Sequence, residues 1–351
     1  MRRIYTSQNY NWIFNKKDGE FIRWGKTTLD DPRFSPVGPE ILDIEISTIC
    51  HGPNGIPCPH CYKSNNKTGI NMTLQTYKKI FDKFPSNLTQ VAFGIGDIDA
   101  NPDLWDIMRY TKDKGVIPNI TINGSRMIPE YYDNLVDICG AVAVSKYKPK
   151  DICYNAVDEL LNRGLKQVNI HMLVSQQTYD ECFELLNDRL YDIRLEKMNA
   201  IVFLMLKPKG YRNYYSKLSS LDKFKKLIDH SMNHDILIGF DSCSAPMFLE
   251  AVKIGKDEEE FKKYVICSES CESGLFSSYC NVKGEYWHCS FSENVHPWKG
   301  INILKCKDFM KDIWLSEEVM KFRDHLLNQD NSYISEGCRF CPIYDLSLRK
   351  E

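Results

Sequence analysis

The sequence has no excess of charge of either sign: 45 Lys and Arg stand against 47 Asp and Glu, a formal net charge of −2 over 351 residues. Without a general basic field it carries no electrostatic footprint for nucleic acid, although a local patch would vanish in such a sum. Long apolar runs are missing too. The longest, residues 200–206, falls far short of the ~20 residues that span a bilayer. The opening MRRIYTSQNYNWIF is basic but lacks the apolar stretch of a secretory signal. A soluble, cytoplasmic chain with no membrane partner and no nucleic-acid partner is expected. Cysteine, by contrast, is plentiful, at 14 residues. The cytosol keeps thiols reduced, so these are not read as disulfides.

The thiols are unevenly spread. Cys50, Cys58 and Cys61 lie within twelve residues, in C-HGPNGIP-C-PH-C-Y, just after an alternating apolar run at 42–46 that reads as a strand. Gly52, Gly55, Pro53, Pro57 and Pro59 keep this stretch out of regular structure, so its sulfurs can converge on an inorganic centre. A structural zinc would want a fourth ligand. A [4Fe–4S] cluster held by three cysteines instead leaves one iron free. Cys267, Cys271, Cys280, Cys289, Cys306, Cys338 and Cys341 crowd the last quarter, while Cys139, Cys153 and Cys182 fall on helix-like segments and read as small core residues.

The length fits two domains, or one large α/β domain with an extension. Residues 1–40 read as an extension with a β-hairpin turning at Asp18-Gly19, followed by a proline-punctuated connector. From residue 41, strands at 42–46, 90–93, 119–122, 141–145, 167–174, 200–206 and 236–241 alternate with helical patterns. The first helix is capped by Thr73 and stopped by Pro85, and others are expected at 102–114 and near 129–138, 154–163, 178–187 and 220–233. Such alternation argues for parallel βα units. Whether they close into a barrel or form an open sheet, ligands belong at the C-terminal ends of the strands. The three-cysteine loop sits at one of them.

Over residues 41–245 this arrangement resembles the radical SAM superfamily. The resemblance implies a partial (β/α)6 TIM-like barrel whose three-cysteine loop holds a [4Fe–4S] cluster. It also implies S-adenosyl-L-methionine chelated to the free iron, and a low-potential electron donor of the flavodoxin or ferredoxin type. The family's usual loop has three residues between its first two cysteines and two before the third; here seven separate Cys50 from Cys58 and two separate Cys58 from Cys61. Loop closure varies slowly with length, so the same ligation is open to the longer loop. His60 then takes the position beside adenine, and His51 in the inserted loop reads as a solvated polar residue. The segment 93–102 resembles the family's Gly-Gly-Glu element, with Ile95 in place of the first glycine, Gly96 as the second and Asp97 as the acid. Asn123 in Thr-Ile-Asn-Gly, Ser145, His171 and Leu206 follow at the strand ends where the family meets its cofactor.

The C-terminal part, Cys271, Gly284 and Cys289 followed by Cys338 and Cys341, resembles the SPASM/Twitch domain. It implies a small α+β unit over 246–351 with one auxiliary [4Fe–4S] cluster on Cys271, Cys289, Cys338 and Cys341. The longer SPASM pattern does not continue past Cys341, which favours Twitch. A four-cysteine zinc knuckle would use the same residues. Cys267, Cys280 and Cys306 are spare, and one of them can replace Cys271. Cys243 ends the last strand as a candidate redox or substrate-contacting thiol, with a buried structural cysteine as the plainer reading. Family analogy implies a peptide or protein substrate, as in maturation of ribosomally made peptides, and the N-terminal hairpin offers an edge for strand addition. The alternatives are a dehydrogenase or modifying enzyme of a small molecule or nucleoside and, in another class, a non-catalytic cysteine-rich metal-binding module.

Overall fold

The computed structural model of the chain describes residues 2–329 and 338–349. Strands β1 (Arg2–Tyr5), β2 (Asn11–Asn15) and β3 (Phe21–Trp24) form a three-stranded antiparallel sheet. The hairpin turn falls at Asp18-Gly19, where Gly19 N donates to Asn15 O at 2.9 Å and Asn15 N to Glu20 O at 2.9 Å. β1 adds a strand that the sequence reading did not contain.

The core then runs β4 (Ile41–Glu45), α1 (Leu74–Phe81), β5 (Gln90–Gly94), α2 (Leu104–Asp113), β6 (Ile117–Ile122), α3 (Pro129–Ile138) and β7 (Ala141–Ser145). It continues with α4 (Lys150–Asn162), β8 (Val168–Val174), α5 (Tyr179–Tyr191), β9 (Ala200–Met205), α6 (Leu221–Asn233) and β10 (Ile238–Phe240). From β4 to β10 each strand pairs in parallel with the next, so the core is the expected partial (β/α)6 barrel with a short seventh strand. Thr73 and Ser220 cap α1 and α6 by accepting from Thr76 N and Lys223 N. α4 begins at Lys150, four residues before its expected start near 154, because Pro149 occupies its N-cap in extended backbone. Alternation divides the strands. Leu42, Ile44, Val91, Phe93, Ile120, Val142, Val144, Ile170 and Met172 are buried in the main core, whereas Asp43, Asn119, Thr121, Ser145 and His171 keep some exposure on the opposite face.

After β10 come α7 (Ala245–Lys253), α8 (Glu258–Ile266), β11 (Ser277–Cys280), β12 (Glu285–Trp287), β13 (Ile301–Asn302) and α9 (Glu317–Leu327), the last capped by Ser316. β11 and β12 form the expected hairpin. β11 also pairs in parallel with β4, from Ser277↔Ile41 to Cys280↔Ile44, giving one ten-stranded sheet in the order β10-β9-β8-β7-β6-β5-β4-β11-β12-β13. Residues assigned by sequence to a separate C-terminal unit therefore share a sheet with the core. The chain's end returns as well, with Leu221 N donating to Arg349 O at 2.9 Å.

The N-terminal sheet is fastened to this frame by a second apolar cluster of Tyr10, Trp12, Phe14, Cys271, Leu275, Phe276, Phe322 and Leu326. Above it Arg23 bonds Glu40 through Nε (2.9 Å) and an Nη (2.8 Å), and reaches Glu272 at 2.8 Å. Tyr10 donates to Glu40 at 2.7 Å, which satisfies a carboxylate that is almost wholly buried.

Candidate active site

The loop after β4 is pinned at its base. Thr48 N donates to Ile70 O at 3.0 Å, Cys50 N to Asn66 O at 2.9 Å, and Asn101 Nδ2 to Ile46 O and Met72 O at 2.8 and 2.9 Å. Cys50, Cys58 and Cys61 are thereby held near one another, close enough to disfavour each other's ionisation. Burial is the larger cause. It pushes Cys50 up to about 11 and Cys58 up to about 12, so both carry protons at neutral pH until a metal displaces them.

Gly96, at the end of β5, touches this loop directly. A Cβ there would collide with Ile49 O and lie 2.5 Å from Cys50 Cβ, so only glycine admits the approach. Beside it, buried Asp97 accepts from His51 N at 2.8 Å, from Asn123 Nδ2 at 3.1 Å and, through Oδ1, from Cys50 Sγ at 3.8 Å. His51 Nδ1 also lies 2.6 Å from Asp97. His51 is thus not a solvated bystander: it moors the seven-residue stretch between Cys50 and Cys58 to the turn after β5. Asn123 Nδ2 also donates to Gly96 O at 3.1 Å, so the residues expected at the second and third strand ends meet at Cys50.

On the other side, Tyr147 stands near Cys58 and near Ser145 at the end of β7, close enough to affect their ionisation or be affected by it. Ser145 is in register with His171 on β8. His60 lies between Tyr147 and Tyr215, with ring centroids 5.8 and 4.9 Å away, and its Nδ1 is buried without a hydrogen-bond partner. Burial holds both His60 and His171 down to about 4, so each is neutral at pH 7. Leu206 is buried past the end of β9, its N donating to Val174 O at 3.0 Å. The element that meets the cysteine loop there is Gly210, where a Cβ would collide with Cys61 O. Tyr147 and Tyr215 escaped the sequence reading, since an aromatic in a loop after a strand carries no pattern of its own.

Between the cysteine loop and the β11–β12 hairpin is a cavity of about 340 Å³ lined by Glu45, Tyr62, Lys63, Lys209, Asn281 and Glu293, among others. Lys63 pairs with Glu293, reaches Glu45 at 3.3 Å and donates to Tyr279 OH at 2.7 Å. Lys209 Nζ donates to the carbonyls of Ser290, Phe291 and Glu293 at 2.8, 3.3 and 2.9 Å. Burial first, then Lys63, lowers Lys209 to about 8. The Tyr62 and Phe291 rings stand 4.6 Å apart, linking the loop of the first thiol group to that of Cys289.

A second thiol group gathers at this end. Cys271 precedes β11, Cys289 follows β12, and Cys341 lies in the returning segment, its Sγ accepting from Tyr344 N at 3.4 Å. Cys243 lies in a 3-10 turn at Ser242–Ser244 after β10, near enough to Cys271 and Cys341 to be affected by them in its ionisation. Cys338 Sγ accepts from Ser270 Oγ at 3.8 Å. Among the described residues no three His, Cys, Asp or Glu side chains converge on a point that one metal ion would occupy. The thiolates of an iron–sulfur cluster each bind their own iron and do not need such a point.

No family model and no curated protein matches this sequence. Solved structures do. Streptococcus suis SuiB bound to S-adenosylmethionine aligns with a TM-score of 0.66 at 14% identity, over 88% of this chain and 74% of that one. SuiB bound to precursor peptide SuiA aligns at 0.70 and 12%, over 95% and 91%. Native anSMEcpe with bound AdoMet and Cp18Cys peptide aligns at 0.58 and 16%, over 81% and 82%. The fold of this chain is the fold of those proteins.

Proposed function

We propose that this chain is a radical SAM enzyme that modifies a peptide. The observation that carries the reading is the convergence of Cys50, Cys58 and Cys61 on a loop just past the first strand of the parallel barrel, clasped by Gly96, Asp97 and Asn123. The donor set fits a [4Fe–4S] cluster with one open iron: three thiols, supplied by a single loop, against a glycine that leaves clearance. Cys50, Cys58 and Cys61 would hold such a cluster with S-adenosylmethionine on its open iron, and with one electron from a low-potential donor it would supply hydrogen-abstracting radical chemistry, methionine being the group released.

The chain's own residues hold and shield that chemistry. Asp97 fixes both His51 and Asn123, and so sets the backbone on either side of Cys50. Neutral His60, in its Tyr147–Tyr215 pocket, offers a flat uncharged ring to a nucleobase. His171 and Ser145 face the barrel interior as uncharged polar groups that can orient a substrate or the ribose without protonating it. Cys271, Cys289, Cys338 and Cys341 would hold an auxiliary cluster, which would supply a place to accept or deliver an electron. A peptide substrate is favoured because SuiB and anSMEcpe, which share the fold, have been seen with peptides bound.

Anaerobically purified protein, reduced with dithionite and given S-adenosylmethionine, is expected to yield 5′-deoxyadenosine. The Cys50→Ala/Cys58→Ala/Cys61→Ala chain is expected to yield none. Equal yield from the two would refute the reading.

A further inference from the structure

Along strands β4 to β10 only Asp43 and Glu45 are Asp, Glu, Lys or Arg, and both point into the barrel, away from Leu42 and Ile44 in the helix-packed core. Glu45 is already paired, with Lys63 at 3.3 Å. Asp43 lies two residues deeper along β4, about 7 Å further from the cysteine loop, and its side chain has no hydrogen-bond or ion-pair partner among the described residues. Its strand neighbours cannot supply one. Asp43 is in register with Tyr279 on β11, whose hydroxyl accepts from Lys63 at 2.7 Å, and with Ala92 on β5. Thr121 on β6 and His171 on β8 face the same interior, and their side chains too have no hydrogen-bond partner among the described residues. The space between these walls is not filled from the strands. A Cβ added at Gly94 would meet nothing nearer than 3.6 Å, and one at Gly239 nothing nearer than 3.8 Å. Asp43 is thus exposed to the interior and yet enclosed by protein, and burial pushes its carboxyl up to about 6. Nothing in the fold offsets the desolvation of that charge.

We propose that Asp43 is a substrate-binding residue, whose carboxylate receives the ammonium or guanidinium group of a lysine or arginine side chain that the peptide substrate extends into the barrel. This rests on the peptide-modifying reading given above and deepens it by naming the charge of the side chain that enters. The depth of Asp43 selects a long side chain, because the group has to pass the strand ends and reach a residue two positions below Glu45. The walls select its charge. Thr121, Ser145 and His171, which burial keeps neutral, offer polar contacts but no counter-charge, so Asp43 is the full charge that a cation meets there. A neutral side chain of the same length would leave that carboxylate unpaired, and is discriminated against on that account.

The test uses the iron-loaded, full-length chain under anaerobic conditions with S-adenosylmethionine, and blocked peptides acetyl-Gly-Gly-X-Gly-Gly-amide in which X is lysine, arginine, norleucine or glutamate. In calorimetric titrations the wild type is expected to bind the lysine or the arginine peptide at least about tenfold more tightly than the norleucine peptide; the tighter of the two names the group. Asp43→Asn is expected to erase that difference. It is also expected to melt no lower than the wild type, since it removes an unpaired charge and keeps the side chain's shape. A wild type that does not distinguish the cationic peptides from norleucine, or a preference that survives Asp43→Asn, would overturn the proposal. So would an Asp43→Asn chain that fails to fold, because the carboxylate would then be one that the fold itself needs. If Asp43→Asn weakens binding of S-adenosylmethionine and spares the peptide preference, the carboxylate serves the cofactor and the proposal falls. Formation of 5′-deoxyadenosine by the same wild-type preparation is read separately: its absence refutes the radical reading whatever the peptides do, so the two failures are told apart.

Discussion

His171 shows what the barrel interior does to a single side chain. Its ring keeps some exposure yet is surrounded by protein, and desolvation holds it down to about 4 against an ordinary 6.5. The folded chain therefore resists a proton that the unfolded chain accepts. That stability is present above pH 6.5 and is lost as pH falls toward 4, by up to about 1.4 kcal/mol per pH unit. Urea denaturation of wild type and His171→Leu at pH 7 and pH 5 is expected to show the wild type losing more of its stability; parallel losses would contradict the assignment. Gly96 makes a second residue-scale prediction. Gly96→Ala forces the cysteine loop away and is expected to cut core iron severalfold, whereas Gly94→Ala, whose Cβ would meet nothing nearer than 3.6 Å, leaves iron unchanged. Of the expected site residues, Gly96, Asp97 and Asn123 were picked out by the resemblance of their segments to a family pattern, each alone being as well explained by a turn, and the structure brings the three together beside the cysteine loop. Tyr147, Tyr215 and the mooring role of His51 were not, since each depends on what a distant loop brings alongside.

At the scale of elements, helices and central strands could be read from period and caps, as at Thr73 and Ser220. The partner of β11 could not. Its segment, SSYC, carries turn signals on both sides that announce a hairpin, but nothing local says that its free edge will add to β4, more than 230 residues earlier in the chain. β1 was missed because its alternation of exposed and half-exposed residues buries too little to register. Besides its apolar face, the N-terminal sheet is tied to the frame by one buried polar contact, Arg23 with Glu40. Arg23→Met would leave Glu40 buried without its cation, a change expected to cost about 3–5 kcal/mol and to lower the melting temperature. Arg23→Met/Glu40→Gln should recover much of that loss. A double variant no better than the single would show that the pair is not what holds the sheet.

For the whole molecule, the sheet is continuous from the barrel to the auxiliary thiols, and Tyr62 against Phe291 brings the two thiol groups' loops into contact. Sequence spacing separated a core from a C-terminal unit because cysteine clusters are easy to see and sheet continuity is not. The account stands or falls on an iron–sulfur cluster at Cys50, Cys58 and Cys61 with a site open to S-adenosylmethionine. The measurement that tests this most directly is the electron paramagnetic resonance spectrum of the dithionite-reduced, iron-loaded chain with and without S-adenosylmethionine. The expected result is a reduced-cluster signal that shifts when S-adenosylmethionine is added, and that is missing from the chain lacking these three cysteines. A signal that S-adenosylmethionine leaves untouched, or one that survives loss of the three thiols in full, would contradict it.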